Sequence, residues 1–177
     1  MSSKQQLPDK KTLIPKQTFA LLFSEIVQYC HQKSDTLDQF SQQLAEMGYP
    51  IGCTLLEVIE QNNIINYKRH TKAVPALIQM KDQIWKYIFG YSADDLKQTV
   101  DDANCYMICD NSPFVTRYIS HPQDIKKVFN CNSFVAGIVQ GILNSAGFKC
   151  KVTAHPDPDA EETDGVIFLV KFEESYQ

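Results

Sequence analysis

No run of apolar residues in this chain approaches the length that crosses a bilayer. The longest, Phe134 to Leu143, is broken by Gln140 and reaches about half of the ~20 residues a spanning helix needs, so any membrane association is expected to be peripheral. The opening MSSKQQLPDKKTLIPKQTFA carries four lysines and two prolines without an apolar stretch of signal-peptide length; secretion is not expected and the chain reads as cytoplasmic. An excess of positive charge is also missing. Twenty-one acidic against 17 basic residues give a net charge of -4 and a pI near 5.5, which supplies no field for gathering phosphates and excludes nucleic acid as an expected partner.

Chemical fingerprints are equally scarce. The chain has no G-x-G-x-x-G, no G-x-x-x-x-G-K and no G-x-S-x-G, which removes the common nucleotide cradles and the nucleophile elbow. Cys30-His31, His121 and His155 offer no pair at zinc-ligand spacing and no helical H-x-x-x-H. Asp94-Asp95, Asp101-Asp102 and the stretch Asp157, Asp159, Glu161, Glu162, Asp164 match no calcium loop and read as solvated turns. The expectation is therefore a protein without catalytic residues, cofactor or metal.

What is present is an ordinary globular mix: 177 residues and 20.2 kDa, 44% apolar and 21% charged, enough for one core without staples. Residues 1–17, polar and interrupted by Pro8 and Pro15, are expected as a flexible leader, with a single domain over 18–177. The six cysteines, at 30, 53, 105, 109, 131 and 150, lie at apolar-patterned positions and are expected as buried thiols.

Periodicity divides the domain into a helical half and a sheet half. Thr18 is the expected cap of a first helix in which Phe19, Leu22, Phe23, Ile26, Val27 and Cys30 recur at helical spacing, with Ala20 and Tyr29 widening the apolar arc to about half the wheel. Asp35 or Thr36 opens a second helix along Leu37, Phe40, Leu44 and Met47. Gly48-Tyr49-Pro50 is expected to disturb it before Ile51, Leu55, Val58 and Ile59 resume. A third helix runs from Thr71 or Pro75 to Gly90. After the 92–95 linker the spacing predicts strands over Asn104 to Asp110 and Phe114 to Ile119, a helix over Asn132 to Ala146, and a final hairpin alternating from Phe148 to His155 and from Val166 to Phe172. This is an α+β pattern of two layers, about four main helices on a four-stranded antiparallel sheet. Gly137 and Gly141, on one face of the fourth helix, are expected where another element, the sheet, packs close.

The wide apolar arc of the first helix exceeds what one core can cover. A partner surface on the first two helices is therefore expected, with Leu21, Phe23, Val27 and Phe40 as its candidate anchors.

Four blocks, FALLFSEIVQYC (19–30), LAEMGYPIGCTLLEVI (44–59), VFNCNSFVAGIVQGILNSAGFKCKVTAH (128–155) and VIFLVKFEE (166–174), resemble in order and spacing the α/β small subunits of TRAPP, the transport protein particle. Beside them stand the G-x-x-I-G-x-x-L-L restart of the second helix at Gly48 to Leu56, the Trp85-Lys86-x-x-Phe89-Gly90 ending and the terminal Lys171-Phe172-Glu173-Glu174. The resemblance implies the fold above and a non-catalytic subunit that assembles with homologous small subunits. It further implies a tethering complex at the Golgi and endoplasmic reticulum, acting in ER-to-Golgi and intra-Golgi transport and exchanging nucleotide on a Rab-type GTPase. Contact with the GTPase and with membranes would be indirect, through the complex, and a homodimer of the isolated chain is left open. A related subunit of the family carries a fatty-acylated cysteine before its third helix; residues 61–90 here contain none and His70 falls near that position, so acylation there is excluded and Trp85 and Phe89 are expected to fill the space. The alternative reading is an α/β domain that binds a small apolar ligand or acyl chain in its core.

Overall fold

A computed structural model describes residues 15–100, 102–118, 131–158 and 165–176. The first fourteen residues of the expected leader, Ile119 of the expected second strand, His121 and most of the acidic turn lie outside these.

Helix α1 spans Lys16–Gln32 and starts behind Pro15, whose carbonyl takes the first backbone N–H groups, so Thr18 lies inside the helix and does not cap it. Helix α2 spans Leu37–Asn62 as one rod. Thr36 caps it, its Oγ1 accepting from the Gln39 N–H at 3.2 Å, and Asn63 ends it in the left-handed region at φ 48°. The break expected at Gly48-Tyr49-Pro50 does not occur. Pro50 removes one donor but the helix continues through it, because the glycines beside it are clamped against another helix. Helix α3, Ala73–Gln79, passes into a π turn, Met80–Ile84, and then α4, Trp85–Phe89, stopped by Gly90 at φ 87°. The wider π turn leaves carbonyls for the following segment: the Ala93 N–H donates to Lys81 O at 3.2 Å and Ser92 Oγ to Asp82 O at 3.1 Å.

The sheet has the order β1-β2-β4-β3, all antiparallel, with β1 Asp95–Gln98, β2 Cys105–Asp110, β3 Cys150–Pro156 and β4 Val166–Phe172. Four strands were expected and four are present, but one is a different segment. Phe114 to Ile119 is not a strand: Val115–Tyr118 winds into a 3-10 turn, with Thr116 Oγ1 donating to Pro113 O at 3.2 Å. Its place at the edge is taken by the polar segment Asp95–Gln98, which alternates too little to announce itself.

Helix α5, Ser133–Ser145, lies between α2 and the sheet and is buried on nearly every side. Gly137 and Gly141 do pack inside the chain, but against α2 and not against the sheet. A Cβ on Gly137 would meet the Ala45 carbonyl and one on Gly141 the Tyr49 carbonyl, while Gly48 and Gly52 stand equally close to Phe134 and Ile138. Side chains of α5 also close the outer edge of the sheet. Asn144 Oδ1 accepts from the Cys150 N–H at 3.0 Å and Gln140 Oε1 from Val152 at 3.1 Å, satisfying donors an edge strand would otherwise expose.

Candidate functional site

All six cysteines are thiols, five of them buried and Cys53 half-buried. Burial pushes the Cys30, Cys109, Cys131 and Cys150 thiols up, the reverse of nucleophile activation. Thr153 and His155 touch at 2.8 Å on an exposed strand, with no third group to orient the ring. Among the described residues no cluster of three His, Cys, Asp or Glu side chains can hold a metal ion, and no helix is long and apolar enough to cross a membrane.

Among the described residues the one buried carboxylate is Asp110, at the end of β2. It accepts from Tyr91 Oη at 2.9 Å and from the Ser112 N–H at 3.0 Å, and the Trp85 indole N–H faces it from beyond full hydrogen-bond geometry. Burial raises its pKa while these donors oppose the rise. Tyr91 is pushed far above its ordinary value by burial and by Asp110 itself. A phenol that holds its proton and the carboxylate it donates to join the end of α4 to the sheet. Trp85 is buried in the interior and packs on Phe89 and Phe168 at ring separations of 5.1 and 5.2 Å. His70 Nε2 stands 3.2 Å from the buried Gln79 amide nitrogen when that amide is oriented to satisfy its neighbours.

The buried thiols make a pH prediction. Cys131 and Cys150, both within 3% of full burial, are pushed up to about 12 from an ordinary value near 9, by desolvation in each case. A folded pKa above the unfolded one means stability is complete below pH 9 and drains as pH rises towards 12, because only the unfolded chain releases the protons. Each thiol should contribute a fall of about 1.4 kcal/mol per pH unit in that window. Urea midpoints measured between pH 8 and 10.5 should show it, and Cys150→Ala should flatten the slope; a variant with the wild-type slope would refute the assignment.

What remains is surface. Of the four expected anchors, α1 turns Leu21 outward, 72% exposed, and keeps Val27 half-buried against the core. The other two are corrected by the structure. Phe23 is 1% exposed, its ring 5.8 Å from Phe19 and 5.3 Å from Phe134, and Phe40 is buried with the His31 ring edge 5.6 Å away. Both belong to the chain's own core and present nothing to a partner. The apolar arc of α1 is split: Phe19, Phe23, Ile26, Val27 and Cys30 face in, while Leu21, Leu22 and Tyr29 face out. On α2 the inner stripe is Phe40, Leu44, Gly48, Gly52, Leu56 and Ile59, which leaves Met47, Ile51 and Val58 in an exposed row within about 40° of one another at 100° per residue. Sequence reasoning set Met47, Ile51 and Val58 on the apolar ladder of the second helix without saying which face the core takes; the spacing of Gly48 and Gly52 was the signal that would have placed it.

Residues 19–173 match the family described as Transport protein particle (TRAPP) component. The chain is 37% identical to trafficking protein particle complex subunit 5 of Bos taurus over 93% of its own length and 84% of the relative's. It is 24% identical to trafficking protein particle complex subunit 31 of Saccharomyces cerevisiae, over 87% of this chain and 74% of the relative. Among solved structures, a trafficking protein particle complex subunit 3 from Naegleria fowleri, covalently bound to palmitic acid, superposes with a TM-score of 0.76 at 15% identity, covering 92% of this chain and 97% of that one. The fold is thus shared with that subunit, and the sequence match over nearly the whole domain settles descent: this chain belongs to the TRAPP family of transport protein particle components.

Proposed function

We propose that this chain is a non-catalytic structural subunit of a vesicle-trafficking complex of the TRAPP type, which tethers vesicles in ER-to-Golgi and intra-Golgi transport and serves as exchange factor for a Rab-type GTPase. Homologous small subunits are its direct partners, and the GTPase and the membranes of the Golgi and endoplasmic reticulum are reached through the assembly. The observation that carries the reading is the outward apolar surface of α1 and α2. Leu21, Leu22, Tyr29, Met47, Ile51 and Val58 are large side chains left exposed on these two helices, and a partner that buried them would gain apolar contact there. The raised thiols and bonded Asp110 support the non-catalytic half of the proposal.

Opening the nucleotide site of a GTPase takes a surface that displaces phosphate or magnesium contacts, and this chain of net charge -4 has neither a phosphate-binding motif nor a basic cradle among its described residues. Its contribution is to hold neighbours in register. Release of a fluorescent nucleotide from the GTPase should proceed at the intrinsic rate with the chain alone, be accelerated by the complete complex, and fall when the chain is omitted. Acceleration by the isolated chain would overturn the scaffold reading.

A further inference from the structure

Away from α1 and α2, the start of α3, the β1–β2 connection and the C-terminal tail enclose a cleft of about 280 Å³. One wall is aromatic: Phe172 stands between Tyr106 and Tyr176, at ring separations of 5.8 and 5.6 Å and in edge-to-face contact with both. The tail is held in place, since the Tyr176 carbonyl accepts from the Ala73 N–H at 2.9 Å and its hydroxyl from the Lys149 N–H at 3.0 Å. Pro75 and Val74, the latter 45% exposed, also line it. Among the described residues Lys72 is the only charged one on the lining, and neither its ammonium nor the carboxamide of Asn104, also on the lining, makes a hydrogen bond or ion pair with them. Among the described residues the lining thus combines aromatic rings with an unpaired cation and an unused amide and includes no carboxylate side chain. Glu173 and Glu174, next in the chain, are exposed outside it.

At about 280 Å³ the cleft lies at the lower edge of the volumes that hold small molecules, and it has room for a large apolar side chain. We propose that it is a second docking point, for an extended segment of another protein in which an aromatic or leucine side chain is followed by an aspartate or glutamate. The apolar side chain enters between Tyr176 and Val74, the carboxylate meets Lys72, and the Asn104 amide bonds the peptide backbone. The site lies apart from the outward face of α1 and α2, so that both can be occupied together.

The test uses the full chain, isotopically labelled, titrated with a twelve-residue peptide carrying Asp-Leu-Phe-Asp at its centre. Saturable shifts are expected at the Asn104 side-chain amide and around Val74, Gln98 and Tyr176. Lys72→Glu and Val74→Glu, both at surface positions that leave the core untouched, should each weaken binding by roughly tenfold. A peptide with both aspartates replaced by lysine should fail to bind. The proposal is overturned if no saturable shift appears, if the lysine peptide binds equally well, or if both variants bind as the wild type does. It is likewise overturned if the same amides shift on raising the chain's own concentration and on adding myristate but not with the peptide, which would assign the cleft to a second copy or to an apolar ligand.

Discussion

Gly137→Ala should cost this protein about 2–4 kcal/mol, a large part of the stability of an ordinary domain. In a free helix the same change would help by about 1 kcal/mol, because alanine has the higher helix propensity. Here the new methyl group would lie against the Ala45 carbonyl oxygen, with the Ala45 carbonyl carbon at 2.8 Å and its Cα at 2.9 Å. A side chain could rotate away; a backbone cannot. Helix α2 would have to move as a body, opening the reciprocal approaches of Gly48, Gly52 and Gly141 along the same crossing. The local gain is therefore overwhelmed by a loss spread over the longest helix contact in the fold. Gly90→Ala is the useful comparison, since nothing lies within 4 Å of the added carbon and only the left-handed φ of 87° opposes it, for about 1–2 kcal/mol. Urea unfolding of the two variants should place Gly137→Ala clearly below Gly90→Ala. Equal stability of Gly137→Ala and wild type would mean that the helices are not in backbone contact.

The same crossing explains where the sequence could be read and where it misled. The hairpin β3–β4, β2, α5 and the Gly90 stop were legible because large apolar residues alternate or recur there and a left-handed glycine ends the helix. On α2 the inward stripe contains Gly48 and Gly52, which carry no apolar side chain to mark it, so the eye moves to Met47 and Ile51 beside them and rotates the helix by one residue. Pro50 then adds an apparent break that tertiary packing overrides. Gln140 looked like an interruption of an apolar run until its amide was seen on the free edge of β3. β1 escaped notice because Asp95 and Lys97 face solvent and pair with each other at 3.2 Å, leaving only Leu96 partly buried to signal a strand. The partner face had the right helices and two wrong side chains: apolar spacing locates a helix but does not say which edge of a wide arc the core takes.

That distinction separates substitutions at neighbouring positions of α1. Phe23→Asp should unfold the protein. Removing a buried phenylalanine costs about 3–5 kcal/mol by itself, and the aspartate adds a charge that has neither water nor a partner between the Phe19 and Phe134 rings. Leu21→Asp and Leu22→Asp place the same charge in solvent, where substitutions usually change stability by no more than about 0.5 kcal/mol. Their circular dichroism and melting should follow the wild type. If α1 is the face that holds a homologous subunit, a charge at its centre must be desolvated on association with nothing to pair it, and co-elution with that subunit should be lost. Size-exclusion chromatography of the co-expressed pair reads the association, and the thermal melt of the purified chain reads the fold, so the two losses are never confused. A Leu21→Asp, Leu22→Asp double variant that still co-elutes would move the partner to another surface, and a native-like Phe23→Asp would mean that α1 is not packed on the core as described.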